Sequence, residues 1–234
     1  MRASIFGADE ELPKAREAYS DETVGRLHSG FAEDGKPKAL TEWRVTTGDR
    51  DVAAAVGQLF GGQPVETDST SEFFIDVFTA RSAVPVILSG PDAITMDMKL
   101  WINGMLMHHC DGNKFLSGDD VTVGAACSCP STYAERKARA KTFQGPKPSI
   151  EIRFRLADDP ELGTFKFVTG SWDFAYVLHQ VDAALEDAAG EAVADLTLEA
   201  VSFVAKNGPM KGKTVSYTKP VLTNIRSYAD AIAE

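Results

Sequence analysis

Residues 149–157 read SIEIRFRLA, and this stretch gives the strongest indication of the fold. Apolar side chains stand at every second position and alternate with charged ones, the apolar set being Ile150, Ile152, Phe154 and Leu156. A period of two is typical of a β-strand that buries one face. The turn DDPELG follows, and TFKFVTG then alternates again at Phe165 and Phe167. The segment therefore predicts two strands joined by a turn.

The sequence after these strands predicts a helix and a hairpin. Ser171 can cap a helix over 172–189, because its hydroxyl suits the first turn and Gly190 suits the end. An apolar stripe along this segment supports the helix. LTLEAVSFVAK and TVSYTKPVL, separated by NGPMKGK, then predict paired strands. The last residues, IRSYADAIAE, suggest a short helix.

The earlier part of the chain carries similar signals. GRLHSGF and ALTEWRVTT flank an Asp34-Gly35 turn and predict a hairpin. A helix over VAAAVGQLF can be capped by Asp49 or Asp51 and can end at Gly61-Gly62. Further strands are predicted over 73–78, 84–89 and 98–107, the last interrupted at Asn103-Gly104. Pro130 opens a predicted helix, STYAERKARAK.

Strands outnumber helices, and several are joined as hairpins. We therefore expect an α+β fold, mainly antiparallel sheet with a few packed helices and a zinc-stabilised loop. The expected organisation is a flexible lead-in over 1–20, one domain over 21–224 and a tail over 225–234. A possible sub-boundary lies in the polar loop 111–126.

The composition excludes several classes of protein. The chain has 234 residues, 44% of them hydrophobic and 25% charged, which is typical of a globular protein rather than a disordered one. It has no apolar run long enough to span a membrane, and its first residues lack the apolar core of a secretory signal. Three cysteines are too few for a disulfide framework. We expect a cytoplasmic protein.

The net charge of −10 argues against a surface that binds nucleic acid along its whole length. The exception is the window 136–155, where seven basic residues and one acidic residue give +6, so the rest of the chain carries −16. Its first part is a candidate patch for a protein partner or for nearby DNA: Arg136, Lys137, Arg139 and Lys141. The alternative is a solvated helix followed by a strand with a basic outer face.

The three cysteines fall within twenty residues, next to two of the four histidines. If HHC (108–110) and CSC (127–129) are extended, residues two apart share a side. This favours a tetrahedral, structural zinc site with four ligands: His108, Cys110, Cys127 and Cys129. The choice of His108 over His109 depends on strand alternation alone. Chance clustering of free cysteines and a redox pair, Cys127 and Cys129, are the other interpretations.

The sequence contains no recognisable catalytic motif, so we expect no enzyme activity and no small-molecule substrate. A metal-dependent hydrolase stays open as an alternative, with His108, His109 and nearby aspartates around an open metal position. The three tryptophans, Trp43, Trp101 and Trp172, are expected in the core.

The order of several short motifs resembles the recombination directionality factor-like proteins of actinobacterial phages, prophages and their hosts. The resemblance spans about residues 20–222. The motifs are WRVTTGD (43–49), LFGG (59–62), GPDAI (90–94), LW (100–101), HHCDG (108–112), CxCP (127–130), PSIEIxFRL (148–156), GTFxFxTGSW (163–172) and VSYTKP (215–220).

The resemblance implies a regulatory protein that binds a large serine integrase near its coiled-coil arm. Such a factor permits attL × attR excision and inhibits attP × attB integration, touching attachment-site DNA only through the integrase. It implies a setting in the cytoplasm of a bacterial host. A nucleic-acid-binding accessory protein that uses the basic segment 136–155 is the competing function, and it would bind DNA without a partner.

Overall fold

A computed structural model of the chain describes residues 22–33, 35–118, 122–208 and 211–233. The predicted lead-in over 1–20 lies outside these residues, as do Asp34 and part of the predicted turn at 207–213.

The described strands are β1 Gly25–Glu33, β2 Lys36–Thr47, β3 Pro64–Glu66, β4 Ile75–Phe78, β5 Ala83–Leu88, β6 Ile94–Ile102, β7 Met105–Cys110, β8 Lys147–Leu156, β9 Thr164–Thr169, β10 Ala192–Val204 and β11 Thr214–Ser227. The α-helices are α1 Arg50–Phe60, α2 Tyr133–Lys141, α3 Trp172–Asp187 and α4 Tyr228–Ala231, and short 3-10 turns cover Pro91–Ala93 and Pro160–Leu162.

The strands form one sheet in the order β11-β10-β5-β8-β9-β1-β2-β4-β3. β6 leaves this path, because it pairs with β8 and with β7. Each pairing among the described strands is antiparallel except one: residues 25–27 of β1 run parallel to residues 165–167 of β9. The predicted α+β class is confirmed, with the correction that the sheet is mixed.

Strand β8 organises the centre of the sheet and confirms the alternation of SIEIRFRLA. Its four apolar side chains, Ile150, Ile152, Phe154 and Leu156, are buried. β9 pairs along one edge of β8. β6 and the end of β5 divide the other edge between them, β6 pairing with residues 147–152 and β5 with residues 155–156. The β6–β7 hairpin consequently branches away from the main path of the sheet.

The core lies between the sheet and helices α1 and α3. Trp43 is fully buried, its ring packs edge-on against Phe167 at 5.0 Å, and its Nε1 donates to the carbonyl of Leu196 at 3.2 Å. These contacts bring β2 against β10, so the sheet curls on itself. Asp49 caps α1 by accepting the N–H groups of Asp51 and Val52, and Ser171 caps α3 by accepting the N–H of Phe174. Both caps are among the sequence predictions.

Three expectations need correction. The segment 98–107 is a hairpin of two strands rather than one interrupted strand, with Asn103 and Gly104 as its turn. Trp101 is 58% exposed and therefore does not belong to the core, whereas Trp43 does. β11 continues to Ser227, so the first residues of the predicted tail belong to the sheet. None of the described helices has the length and apolar content needed to cross a membrane.

Candidate metal centre

The four predicted ligands meet at the base of the β6–β7 hairpin. His108 and Cys110 lie two residues apart at the end of β7, while Cys127 and Cys129 lie in the irregular segment before α2. Their ligand atoms all lie within 4.8 Å of one another. Cys110 is completely buried and the other three ligands are partly buried. The structure thus brings together residues that the sequence places in two separate segments.

Two of the distances within this cluster equal those of a tetrahedral zinc site. Zinc bound at about 2.3 Å by sulfur and about 2.0 Å by nitrogen holds its ligand atoms roughly 3.5–3.8 Å apart. The Sγ atoms of Cys110 and Cys129 are 3.7 Å apart, and Nε2 of His108 is 3.5 Å from Sγ of Cys129. The cluster could therefore hold a metal ion, although hydrogen bonds between free thiols and the imidazole have similar lengths.

Backbone hydrogen bonds fold the intervening loop back onto β7. Oδ1 of Asp111 accepts the N–H groups of Asn113 and Lys114, each at 2.7 Å, and closes a tight turn directly after Cys110. The N–H of Cys127 then donates to the carbonyl of Asn113 at 2.7 Å. Through these contacts the second cysteine pair is placed beside the first. Asp111 therefore shapes the loop and is not itself one of the clustered ligands.

Two arginines of α2 hold the cysteine segments together. Arg136 donates from Nε to the carbonyl of Pro130 and from Nη2 to the carbonyl of Gly112. Arg139 donates to the carbonyl of Ser128 at 3.0 Å. Gly112 has a φ of +97°, a conformation that side chains rarely adopt, and a Cβ there would also press into the guanidinium of Arg136. The sequence spacing gave no signal for this role.

The protonation states follow from burial. Burial raises the pKa of Cys110 to about 12 and also raises the pKa of Cys129. Burial lowers the pKa of His108, and the nearby Arg139 and His109 lower it further. The N–H of Gly112 donates to Sγ of Cys110 at 3.4 Å and favours the thiolate. A metal ion would displace the thiol protons, so its affinity rises with pH.

His109 is held away from the cluster. Its Nδ1 lies 3.0 Å from Oγ of Ser117 and its Nε2 lies 3.0 Å from Oδ2 of Asp97. His109 therefore does not share a site with His108, as the hydrolase alternative would require. Four protein ligands would complete a tetrahedral coordination and leave no place for a substrate.

The predicted basic patch is divided among different contacts. Arg136 and Arg139 donate to backbone carbonyls, as described above. Lys137 lies 3.6 Å from a carboxylate oxygen of Asp173 and 3.1 Å from the hydroxyl of Tyr133. Lys141 is exposed at the end of α2. Three of the four cations therefore contribute to the structure of this region.

Comparison with known proteins adds one match. The Gp3-like family model, described as recombination directionality factor-like, matches residues 24–223. No solved structure matches the chain. The family match covers the described sheet except the last four residues of β11, and it includes all four clustered residues.

Proposed function

The chain belongs to the recombination directionality factor-like family, and from this we propose that it binds a large serine integrase and switches it from integration to excision. The match over residues 24–223 is the observation that carries the proposal. In this role the protein inhibits attP × attB recombination and permits attL × attR recombination, working in the cytoplasm of the bacterial host. It contacts the integrase near the coiled-coil arm and reaches attachment-site DNA only through it.

The proposed mechanism is a shift between integrase conformations. A protein that binds one arrangement of the integrase more tightly than another moves the equilibrium toward the first. Reversing a balance from 1:99 to 99:1 requires about 5.5 kcal/mol of difference in binding free energy. Contact with a rigid surface can provide this without any chemical step, so we propose that the chain is not an enzyme.

We also propose a structural zinc ion held by His108, Cys110, Cys127 and Cys129. The distances among their ligand atoms support it. A bound zinc ion supplies a cross-link between the end of β7 and the segment before α2. The chain's own residues keep the four ligand atoms in place through the turn at Asp111 and the hydrogen bonds of Arg136.

The direct test of the function is recombination in vitro. The purified protein is added to candidate serine integrases, with attL and attR DNA in one reaction and attP and attB DNA in the other. We expect excision to appear only when the protein is present and integration to fall. Unchanged product ratios with an integrase that is active alone would reject the proposed function.

The metal is tested separately by elemental analysis and chelation. We expect about one zinc per chain. Removing the ion with a chelator should lower the melting temperature by about 10 °C, since about 3 kcal/mol of stabilisation corresponds to such a shift in a chain of this size. A chain purified without metal, with an unchanged melting temperature after chelation, would reject the zinc site.

A further inference from the structure

The tip of the β6–β7 hairpin exposes an unusual amount of apolar surface. Trp101, Met105 and Met107 are each more than half exposed, at 58%, 60% and 57%. Ile102 and Leu106 beside them are also exposed. We call these five residues the apolar hairpin. Exposed apolar side chains in such number commonly mark a site of interaction.

The hairpin also ends in an unprotected strand. Among the described strands β7 pairs only with β6, so its outer edge is free over the first residues. The end of β7 is covered, because the N–H of Leu116 donates to the carbonyl of His109. Edge strands are usually protected from other chains by charges or proline, but Met105, Leu106 and Met107 provide neither.

Phe143 extends this surface from the other side of a groove. It is 70% exposed and has a φ of +57°, in the left-handed region that disfavours bulky side chains. It follows the end of α2, a position that glycine usually occupies. Together with Leu100 and Trp101 it lines a groove of about 300 Å³. Exposure of the ring to water and the strained backbone both cost free energy of folding. Strain of this kind is common at binding sites.

The proposed metal centre lies at the base of the apolar hairpin. Leu100 pairs with His108 and Met98 pairs with Cys110, so both ligands on β7 lie in register with β6 directly below the tip. The ring of Phe115 packs against His108 at 4.8 Å. A rigid base of this kind lowers the entropy lost when a partner is bound.

The charges around the groove indicate the kind of partner. Lys99 and Lys147 pair in register at its rim, and Nζ of Lys147 lies 5.3 Å from the ring centre of Phe143. Asp97 bonds Lys99 at 3.3 Å and His109 at 3.0 Å. Lys147 is exposed, and within the described part of the chain it has no acidic partner. A second copy docked symmetrically would bring lysines against lysines, which disfavours self-association.

We propose that the apolar hairpin and Phe143 bind an apolar segment of the integrase that has acidic side chains at its flanks. This proposal rests on the proposed function, and it assigns the surface of the chain that contacts the integrase. The apolar side chains provide the buried anchor, and Lys147 orients the acidic flank. Aromatic and methionine side chains are well suited to such contacts.

The test compares two double variants with the metal-bound wild type. Trp101→Thr with Met107→Thr removes exposed side chains at strand positions that threonine tolerates. Phe203→Thr with Val204→Thr is the control, because these residues are also apolar and exposed, at 48% and 58%, on the hairpin of β10 and β11. We expect the first variant to weaken integrase binding by about tenfold or more and the control to stay within about twofold. Lys147→Glu should weaken binding as well.

A second probe tests the binding surface independently of the proposed integrase function. It is a synthetic peptide with leucine and phenylalanine on one helical face and glutamates at both ends, compared with a copy that has lysines in place of the glutamates. We expect the wild type to prefer the glutamate peptide by about tenfold and the Trp101→Thr, Met107→Thr variant to lose this binding.

Each outcome decides one proposal. Equal integrase binding by the wild type and the hairpin variant would overturn the surface and leave the proposed function standing. An integrase that does not bind the wild type would reject the proposed function and the integrase as the occupant of this surface. Peptide binding that the hairpin variant loses would still show that the surface takes an apolar segment with acidic flanks. A dimer, or binding to anionic lipid vesicles, that the hairpin variant abolishes would assign the surface to a different partner and overturn the proposal.

Discussion

His108 and His109 are adjacent, yet they have different surroundings. Strand alternation predicts that His108 and Cys110 share a side, and the structure places both in the ligand cluster. His109 points to Asp97 and Ser117 instead. Alternation could therefore predict two ligands of one strand. It could not predict how Cys127 and Cys129 reach them, because this depends on backbone bonds of the loop and on Arg136.

Arg136 should affect metal affinity although it is not a ligand. Replacing it with methionine removes the donors to the carbonyls of Pro130 and Gly112. We expect zinc affinity to fall by about 10–100-fold, as is usual when groups that orient ligands are lost. Competition with a chromogenic chelator measures this. Lys141→Met is the matched control, since Lys141 is exposed, and an equal loss in both variants would contradict the role of Arg136.

His28 should make the fold sensitive to acid. Burial, with a smaller contribution from the nearby charges of Arg44 and Arg26, lowers the pKa of His28 to about 4, and its Nε2 lies 2.9 Å from Oγ1 of Thr46. Between about pH 6.5 and pH 4 the unfolded chain binds a proton that the folded chain does not, so the free energy of unfolding decreases as the pH falls. The expected loss from this group is about 2 kcal/mol at pH 5.

Urea denaturation at about pH 7.5 and about pH 5 measures this loss, with both proteins in the same metal state. His28→Gln keeps a polar group near Thr46 and cannot titrate. Its stability should therefore decrease less than that of the wild type over the same interval. Parallel decreases would show that His28 is not the group responsible.

At the scale of elements, the spacing of apolar residues predicted the strands and helices that bury one face. The alternation of β8 and the capped helices α1 and α3 appear where the sequence predicts them. The β6–β7 hairpin was expected as one strand, although Asn-Gly between strands is a strong hairpin signal. The two strands were not separated in the prediction because apolar residues stand on both sides of the turn without alternation. Without alternation, no buried face could be recognised in either strand. The same lack of a buried face leaves the tip exposed.

Gly62, just after the end of α1, tests how much a side chain costs where the backbone has a positive φ and little space. Gly62 has a φ of +93°, and a Cβ there would overlap the carbonyl oxygen of Phe78. Gly62→Ala should decrease the free energy of unfolding by about 3 kcal/mol or more, because strain and a steric clash add. Gly212, with a φ of +81° and no atom within 4 Å of a Cβ, is the control. Its alanine variant should lose only about 1–2 kcal/mol. Thermal or urea unfolding separates the two, and similar losses would refute the steric argument.

At the scale of the whole molecule, the sheet depends on pairings between distant parts of the chain. The parallel contact of β1 with β9 joins the N-terminal strands to the centre of the sheet. No local turn sets its register, so the sequence could not reveal it. Gly25 is a partial signal, because a Cβ there would approach the ring of Phe165 to 2.8 Å, and glycine within a strand often marks such a close approach.

Most cations of the basic window 136–155 already have partners within the protein. Arg153 and Arg155 pair with Glu151 and Glu191. With Lys137 paired to Asp173 and the two arginines of α2 bonded to carbonyls, the window has few cations left for phosphates. The remaining candidates are Lys141 and Lys147, both exposed. The whole chain meanwhile carries −10.

This distribution predicts weak binding of the protein alone to DNA. In a gel-shift assay at physiological salt, attL DNA without integrase should show no binding tighter than the usual nonspecific range, about 10⁻⁴–10⁻⁶ M. Lys141→Glu should change this little, because one phosphate contact contributes a salt slope of only about −0.9. Tight binding with a steep salt dependence, abolished by Lys141→Glu and Lys147→Glu together, would instead support the nucleic-acid-binding alternative. A directional effect that requires integrase, from a protein that ignores free DNA, is the combination expected if action depends on protein contact.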